Sequence, residues 1–386
     1  MSLLLLLLHF LPQLLCQEFP VVVNINNGVA HCSGLEDCKV NCDYGFISNG
    51  TYSTSLENVE STYLNLNPKE CQKYKYRAGV VCVRPVVAVV GGYNKAWDHS
   101  EVFPATTELY SMSSLRDCDY ALPDLPVGRK GMFGGWAGGR ATVCGGEDRE
   151  GRLYEDCLSY SFQDQVWLSD AASSAQLGGE RSYAAAALVD SCLLVSGGRT
   201  GLGVTDSLVG LAGSCLDQYP SLPRPTEGHC MVQVGEELVV VGGGPESYGS
   251  TQVLSLRSLQ WREGRPPQKD RALHDCSLVV TAEGEGVLVA GNDFSPSDLA
   301  EIYYPATDSW VWTPGWMNNE RTGAATTILG GRPTVISGYG GDYCCKEFYT
   351  TAESYDQNSG QWWILHSRSE LRGEGRVLRT DCFAGI

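Results

Sequence analysis

Positive charge is what this sequence has least of. Its 28 Lys and Arg stand against 45 Asp and Glu, a formal net charge of −17 over 386 residues. A phosphate backbone is gripped by clustered Lys and Arg, so nucleic acid is not an expected partner. Charge of either sign is sparse at 19%, and no run of six like charges occurs to form an acidic tail. Beyond the first 16 residues no stretch approaches the 18 apolar residues that a spanning helix needs. There are only 6 histidines, no CxxC pair, no HExxH, no G-x-S-x-G elbow and no phosphate-binding P-loop. Those absences remove the usual routes to zinc, hydrolytic and phosphate chemistry. No metal and no cofactor is expected.

Cysteine and glycine are plentiful instead, at 16 and 45. Residues 1–16 read as a secretory signal peptide: Leu3 to Leu8 is unbroken leucine, Pro12 interrupts it, and Cys16 offers a small exit residue before Gln17. The chain is therefore expected to be secreted and extracellular. Sixteen cysteines in such a chain form a disulfide framework. Losing Cys16 with the leader leaves an odd number: one thiol is free, pairs with another chain, or the cleavage lies elsewhere.

Residues 17–75 hold Cys32, Cys38, Cys42 and Cys71 around a turn-rich run. So short a segment builds little core and needs crosslinks, which marks it as a small Cys-rich module. Its Asn49-Gly50-Thr51 is the N-glycosylation sequon of the chain and implies surface exposure if used.

From about residue 76 to 386 one phrase recurs six times, a short apolar run ending in a glycine pair or near-equivalent. The runs end at Gly91-Gly92, Gly145-Gly146, Gly197-Gly198, Gly242-Gly243, Gly291-Asn292 and Gly338-Tyr339, with first-glycine intervals of 54, 52, 45, 49 and 47 residues. Self-similarity at this period denotes an array of supersecondary units. Downstream of five of the pairs a strand ends at Tyr110, Tyr160, Leu254, Tyr303 or Tyr355. In four copies a tryptophan follows seven residues later: Trp167, Trp261, Trp310 and Trp362. Upstream, Arg77, Arg129, Arg181, Arg271 and Arg321 open the first strands, with Thr226 in that place in the fourth copy. Four short strands per unit, punctuated by Gly, Pro, Asn and Asp, complete the pattern.

This glycine doublet, Tyr and spaced Trp resemble the kelch-repeat β-propeller family. The resemblance implies an all-β, six-bladed kelch-like propeller behind the small disulfide-rich N-terminal module. Glycine ends the second strand because it turns at positive φ. A continuous apolar run suits a strand covered on both faces. Either the tail from Leu371 to Leu378 or the stretch from Arg77 to Val81 supplies the strand that closes the ring. Cys144 and Cys157 fall on adjacent strands across a hairpin loop and are expected to pair. Cys344 and Cys345 are expected to find separate partners rather than each other.

In such a blade the loops after the glycine pairs share a face with the arginines opening the first strands. Loops on a rigid scaffold concentrate recognition residues, and Tyr, Trp and Arg are the usual interface anchors. Candidate ligand contacts are Tyr93, Trp97, His99, Phe103, Arg149, Arg199, Tyr248, Tyr343 and Phe348. The five arginines are candidate channel residues, although Glu180, Asp270 and Glu320 beside them suggest a structural ring of ion pairs instead. Propellers of this family also occur in copper-radical oxidases, and His229 with His274 is the one histidine pair placed to converge. Two polar residues beside disulfide cysteines is the plainer account. The expected function is non-enzymatic binding of an extracellular protein or glycan through the loop face. The alternatives are a copper-radical or carbohydrate-active enzyme using the channel, or a structural matrix component.

Overall fold

A computed structural model describes residues 21–25, 28–32, 38–42, 47–49, 81–83, 85–92, 94–95, 101–111, 123–137, 140–161, 164, 166–189, 192–211, 215, 219–244, 247–272, 274–292, 297–329, 331–341, 347–349, 351–365 and 376–381. Two units divide the chain: Met1–Pro85 with Asp381–Ile386, and Val86–Thr380. In the first, Val21–Ile25, Gly28–Cys32 and Cys38–Cys42 form a three-stranded antiparallel meander. Ile47–Asn49, which carries the sequon asparagine, pairs with Val81–Val83. The expected signal peptide and Cys71 lie outside the described residues.

The second unit is all-β and propeller-like, with five blades rather than the expected six. Blade A comprises Phe133–Ala137, Arg140–Cys144, Cys157–Ser161 and Val166–Ser169. Blade B comprises Ala185–Val189, Cys192–Ser196 and Leu208–Gly210. Blade C comprises Cys230–Val234, Glu237–Val241, Thr251–Ser255 and Gln260–Glu263. Blade D comprises Asp275–Thr281, Gly284–Ala290, Ala300–Tyr304 and Ser309–Trp312. Blade E comprises Ala325–Leu329, Arg332–Ile336, Ala352–Asp356 and Gln361–Leu365. The first strands of successive blades touch one another around a common axis.

The first copy of the phrase forms a three-stranded sheet in the order Arg376–Asp381, Pro85–Val90, Thr107–Ser111. It is the strand near the end of the chain, and not the one near Arg77, that lies beside the first glycine-ended run. This sheet and blade B are the two built from copies lacking the spaced tryptophan. They are also the two without a fourth strand among the described residues.

The seven-residue spacing is a hairpin register. Tyr160 stands opposite Trp167, Leu254 opposite Trp261, Tyr303 opposite Trp310 and Tyr355 opposite Trp362. Cross-strand aromatic pairs hold the outer hairpin by edge and tilted contacts, with ring centroids 5.1–5.5 Å apart. Three of the indoles also donate to a carbonyl in the connection entering their own blade: Trp167 to Pro123, Trp261 to Pro220 and Trp310 to Arg265. A copy without the tryptophan loses both contacts.

Core forms between blades rather than within one sheet. Phe133, Leu193 and Val195 pack between blades A and B, and Leu194, Met231 and Leu238 between B and C. Val239, Val253 and Val287 pack between C and D, and Ile302, Val335 and Tyr355 between D and E. The second strands are buried on both faces, as their unbroken apolar runs require. Cys144–Cys157 closes a hairpin of blade A, Cys192–Cys215 lies in blade B, and Cys230–Cys276 joins the first strands of blades C and D.

Candidate functional site

A hydrogen-bond relay at the start of each first strand positions everything at this end of the blades. The carbonyls of Arg129, Arg181, Thr226, Arg271 and Arg321 accept from the amides of Gly92, Gly146, Gly198, Gly243 and Asn292 in the unit before. Their side chains donate to the carbonyls of Gly145, Gly197, Gly242, Gly291 and Ser337 in their own blade. The last of these corrects the sixth doublet. Ser337-Gly338, at φ 57° and 85°, holds the place that Gly242-Gly243 holds at 63° and 89°; Gly338-Tyr339 is one residue late.

The arginines are buried, and their acids are not their chain neighbours. Arg129 pairs with Asp156 at 2.6 Å, Arg271 with Glu301 at 2.6 Å and Arg321 with Glu353 at 3.0 Å. Each acid comes from the third strand or the residue before it. The expected partnership with Glu180, Asp270 and Glu320 is therefore replaced by one set by strand register. Arg181 has no carboxylate partner among the described residues, and burial lowers its pKa. In blade C the neutral pair Thr226 and Gln252 stands in for Arg and Glu. The described arginines are buried and bonded within their own blades. Arg77 lies outside the described residues.

Just beyond the arginines two further bonds link blades A, B and C: the Tyr183 amide donates to the Gly131 carbonyl and the Gly228 amide to the Tyr183 carbonyl. Gly131, Gly228 and Gly323 take φ of 63°, 63° and 57°, and Tyr183 takes 55° in the same role. A bulky residue in the left-handed region is costly, by about 1–2 kcal/mol, and such strain concentrates at functional sites. No signal in the sequence marked Tyr183.

Tyr183 lies under the Arg199 guanidinium, 5.3 Å from ring centroid to Cζ. Its hydroxyl is 3.5 Å from Glu147 Oε1. Glu147 also binds Lys130 at 3.4 Å and pairs with Arg199, and Arg199 reaches Glu227 at 3.8 Å. Burial would lower the Arg199 pKa, but Glu147 and Glu227 hold it above its ordinary value. Burial raises that of Glu227, Arg199 opposes the rise and Glu147 adds to it. The result is a charged rim across blades A, B and C.

Inside this rim lies a cavity of about 80 Å³, lined by the starts of five first strands, including Met132, Tyr183, Ala185, His229, His274 and Asp275. Both histidines are among its lining residues, with the His229 ring packed towards Gly197 and the His274 ring towards Gly242. His229 Nε2 shares a hydrogen with Ser196 Oγ at 2.8 Å, while its Nδ1 and both nitrogens of His274 lack partners. Burial drives both imidazoles down to about 3. Arg271 and His229 push His274 further, and the nearby Val241 carbonyl offsets this slightly without hydrogen-bond geometry. Neutral at physiological pH, they offer hydrogen bonds rather than charge. Among the described residues no group of three His, Cys, Asp or Glu could hold a metal ion.

The loop-face residues separate into kinds. Phe348 is buried against Tyr339, centroids 5.4 Å apart, and Phe103 packs on the same pair beneath Lys130. Both aromatics thus pack on Tyr339, with Phe103 half-buried. Tyr248 is half-buried against Gly244. Arg149 is exposed on the turn after Gly146, and Arg199 keeps 41% of its side chain exposed. Leu202 is fully exposed at the tip of the hairpin Arg199–Thr200 and Gly203–Val204; sequence reading passed it over. Tyr93, Trp97, His99 and Tyr343 lie outside the described residues, as do Cys344 and Cys345.

No known family model matches the chain. It is 30% identical over 217 residues to acyl-CoA-binding domain-containing protein 4 of Arabidopsis thaliana, which covers 52% of this chain and 31% of that protein. It is 28% identical over 212 residues to acyl-CoA-binding domain-containing protein 5 of the same plant, covering 52% and 32%. An Arabidopsis F-box/kelch-repeat protein is 30% identical over 142 residues, 34% of each chain. The chain thus spans about a third of the length of the relatives it matches. The kelch relative and the five blades together support a kelch-like propeller. Among the described residues no helix is long and apolar enough to cross a membrane.

Proposed function

We propose that this chain is a secreted, non-enzymatic binding protein that recognises an extracellular protein or glycan through the loop face of its propeller. The observation that carries this reading is the Arg199–Val204 hairpin, which holds fully exposed Leu202 above a half-exposed arginine. An arginine ordered by two acids beside a solvated leucine is the mix of preorganised charge and apolar area that interface anchors use. Arg149, on the next blade, extends the same face. The three disulfides suit an oxidising compartment.

The test is glycan-array and extracellular-extract capture with the oxidised protein, beside the double variant Arg149→Glu/Leu202→Asp. Capture lost in the variant at an unchanged melting temperature is the expected result. Capture equally strong in the variant would remove the loop face from the account. Detection of the chain in the medium, without residues 1–16 and with Asn49 glycosylated, checks the secretory route.

A further inference from the structure

We propose that the outer edge of blade E binds an uncharged polysaccharide, stacking its sugar rings on Trp316 and Trp363 beside the Gln361 amide. It is a second surface, built from none of the loop-face residues. Trp316 and Trp363 are 67% and 56% exposed, and the fold requires neither. At the Trp363 position of the outer hairpin, blades A, C and D carry Leu168, Arg262 and Val311. Five residues before each strand-opening position, where blade E has Trp316, the other units have Asp124, Gln176, Ser221 and Pro266. Exposed indoles confined to one blade mark a surface that meets something.

Both indoles have fixed seats. Trp316 adjoins Met317 and Trp363 adjoins Trp362, and these two neighbours are buried in the core between blades D and E. Gly315 lets the connection touch the start of the outer strand: a Cβ there would lie 2.6 Å from the Gly360 carbonyl oxygen and 3.6 Å from Gln361 Nε2. Trp316 is thereby held next to exposed Gln361. Gln361 and Trp363 share one face of the strand Gln361–Leu365, about 7 Å apart at the usual rise. The row is indole, amide, indole. The C–H face of a sugar ring lies flat on an indole, and its hydroxyls answer both the donor and the acceptor of an amide. Residues 309–319 and 357–365 contain no charged side chain, and Asp356 beside them is paired with Arg332 at 3.4 Å. A charged polymer, or a protein docking by opposite charge, finds no group to pair with here. An uncharged chain is not repelled by the net charge of −17. Linked rings let one polymer engage both indoles, so that weak stacks reinforce one another.

Affinity electrophoresis of the oxidised full chain in gels containing laminarin, galactomannan or dextran tests this, with tryptophan fluorescence as a second readout. Retardation by at least one of the three, with blue-shifted emission, is expected. Trp316→Ala/Trp363→Ala should weaken that binding at least ~10-fold at an unchanged melting temperature. Should the double variant melt early, Gln361→Ala, which keeps both indoles, should still show weakened binding. No retardation by any of the three would overturn the proposal, and so would binding undiminished in both variants. Retardation by heparin alone would assign the edge to an anionic polymer and overturn it. A dimer in sedimentation that the double tryptophan variant dissociates, with no polysaccharide bound, would assign the edge to a second copy and overturn it too. Polysaccharide binding lost in Arg149→Glu/Leu202→Asp but kept in Trp316→Ala/Trp363→Ala would overturn it in favour of the loop face. The converse supports it, whatever the loop face captures.

Discussion

Arg271 and Glu301 form an ion pair 2.6 Å apart in which both side chains are wholly buried. The guanidinium also donates to Gly291, and the carboxylate also accepts from the Gln268 amide at 2.7 Å. Removing one partner strands the other, which costs about 3–5 kcal/mol. Glu301→Gln should therefore destabilise the protein by that order. The double change Arg271→Thr/Glu301→Gln, which copies Thr226 and Gln252 of blade C, should recover a large part. Urea denaturation of the four proteins in a double-mutant cycle measures it, and additive losses would contradict the account.

Glycine 242 answers two demands at once. A Cβ there would lie 2.4 Å from the Arg271 carbonyl, at φ 63°. The conformation alone costs about 1–2 kcal/mol, and overpacking adds about 1–3 kcal/mol. Gly151 has φ 77° with nothing within 4 Å of its added Cβ, so Gly151→Ala should show only the smaller loss. Equal losses at the two sites, by chemical denaturation, would contradict a contact between blades at Gly242.

His229 and His274 titrate near 3 when folded and near 6.5 when not. Folding favours their neutral forms, so this contribution is complete above pH 6.5 and lost as pH falls towards 3. The slope is about 1.4 kcal/mol per pH unit for each histidine. A pH series of unfolding free energies should steepen below 6.5, and His229→Phe/His274→Phe should flatten it relative to the parent.

The Cys230–Cys276 bond ties first strands whose sequence separation is 46. Replacing both cysteines by serine should cost about 2–4 kcal/mol, read as a lower melting temperature. Because the bond is next to His229 and two residues from His274, the same variant should also alter the histidine NMR signals. Unchanged signals would mean that the disulfide does not shape the cavity.

Much of this fold was legible because it is written in periods. The Tyr-to-Trp spacing is the register of the outer hairpin, and the glycine pairs mark where each second strand turns. What escaped notice depends on register between distant segments. Glu301 lies 30 residues from Arg271 and Glu353 lies 32 from Arg321, so adjacent acids such as Asp270 drew attention instead. The sixth doublet was misplaced because glycine identity was read, whereas the spacing of 16 from Arg321 selects Ser337. Phe348 looked like a loop aromatic, yet its burial depends on Tyr339 and Phe103 from elsewhere in the chain. The histidine pair was visible as a coincidence of two strand starts, but its cavity was not, because it is made by the small residues of five strands at once.

The relay through the arginine positions has a consequence for how such a chain can diverge. Half of each link is a backbone carbonyl accepting from the preceding unit, and any residue supplies that. Only the other half depends on a side chain, and in blade C a threonine fills it. Charge can therefore drain out of one unit at a time, provided that the third strand changes with it, while the succession of units stays intact. Arg181 is buried with no acid partner among the described residues, and Val209 stands at the register position where blades D and E keep Glu301 and Glu353. Duplicated units joined this way drift apart independently, and the loops beyond the glycines are left as the part of the chain with most licence to vary.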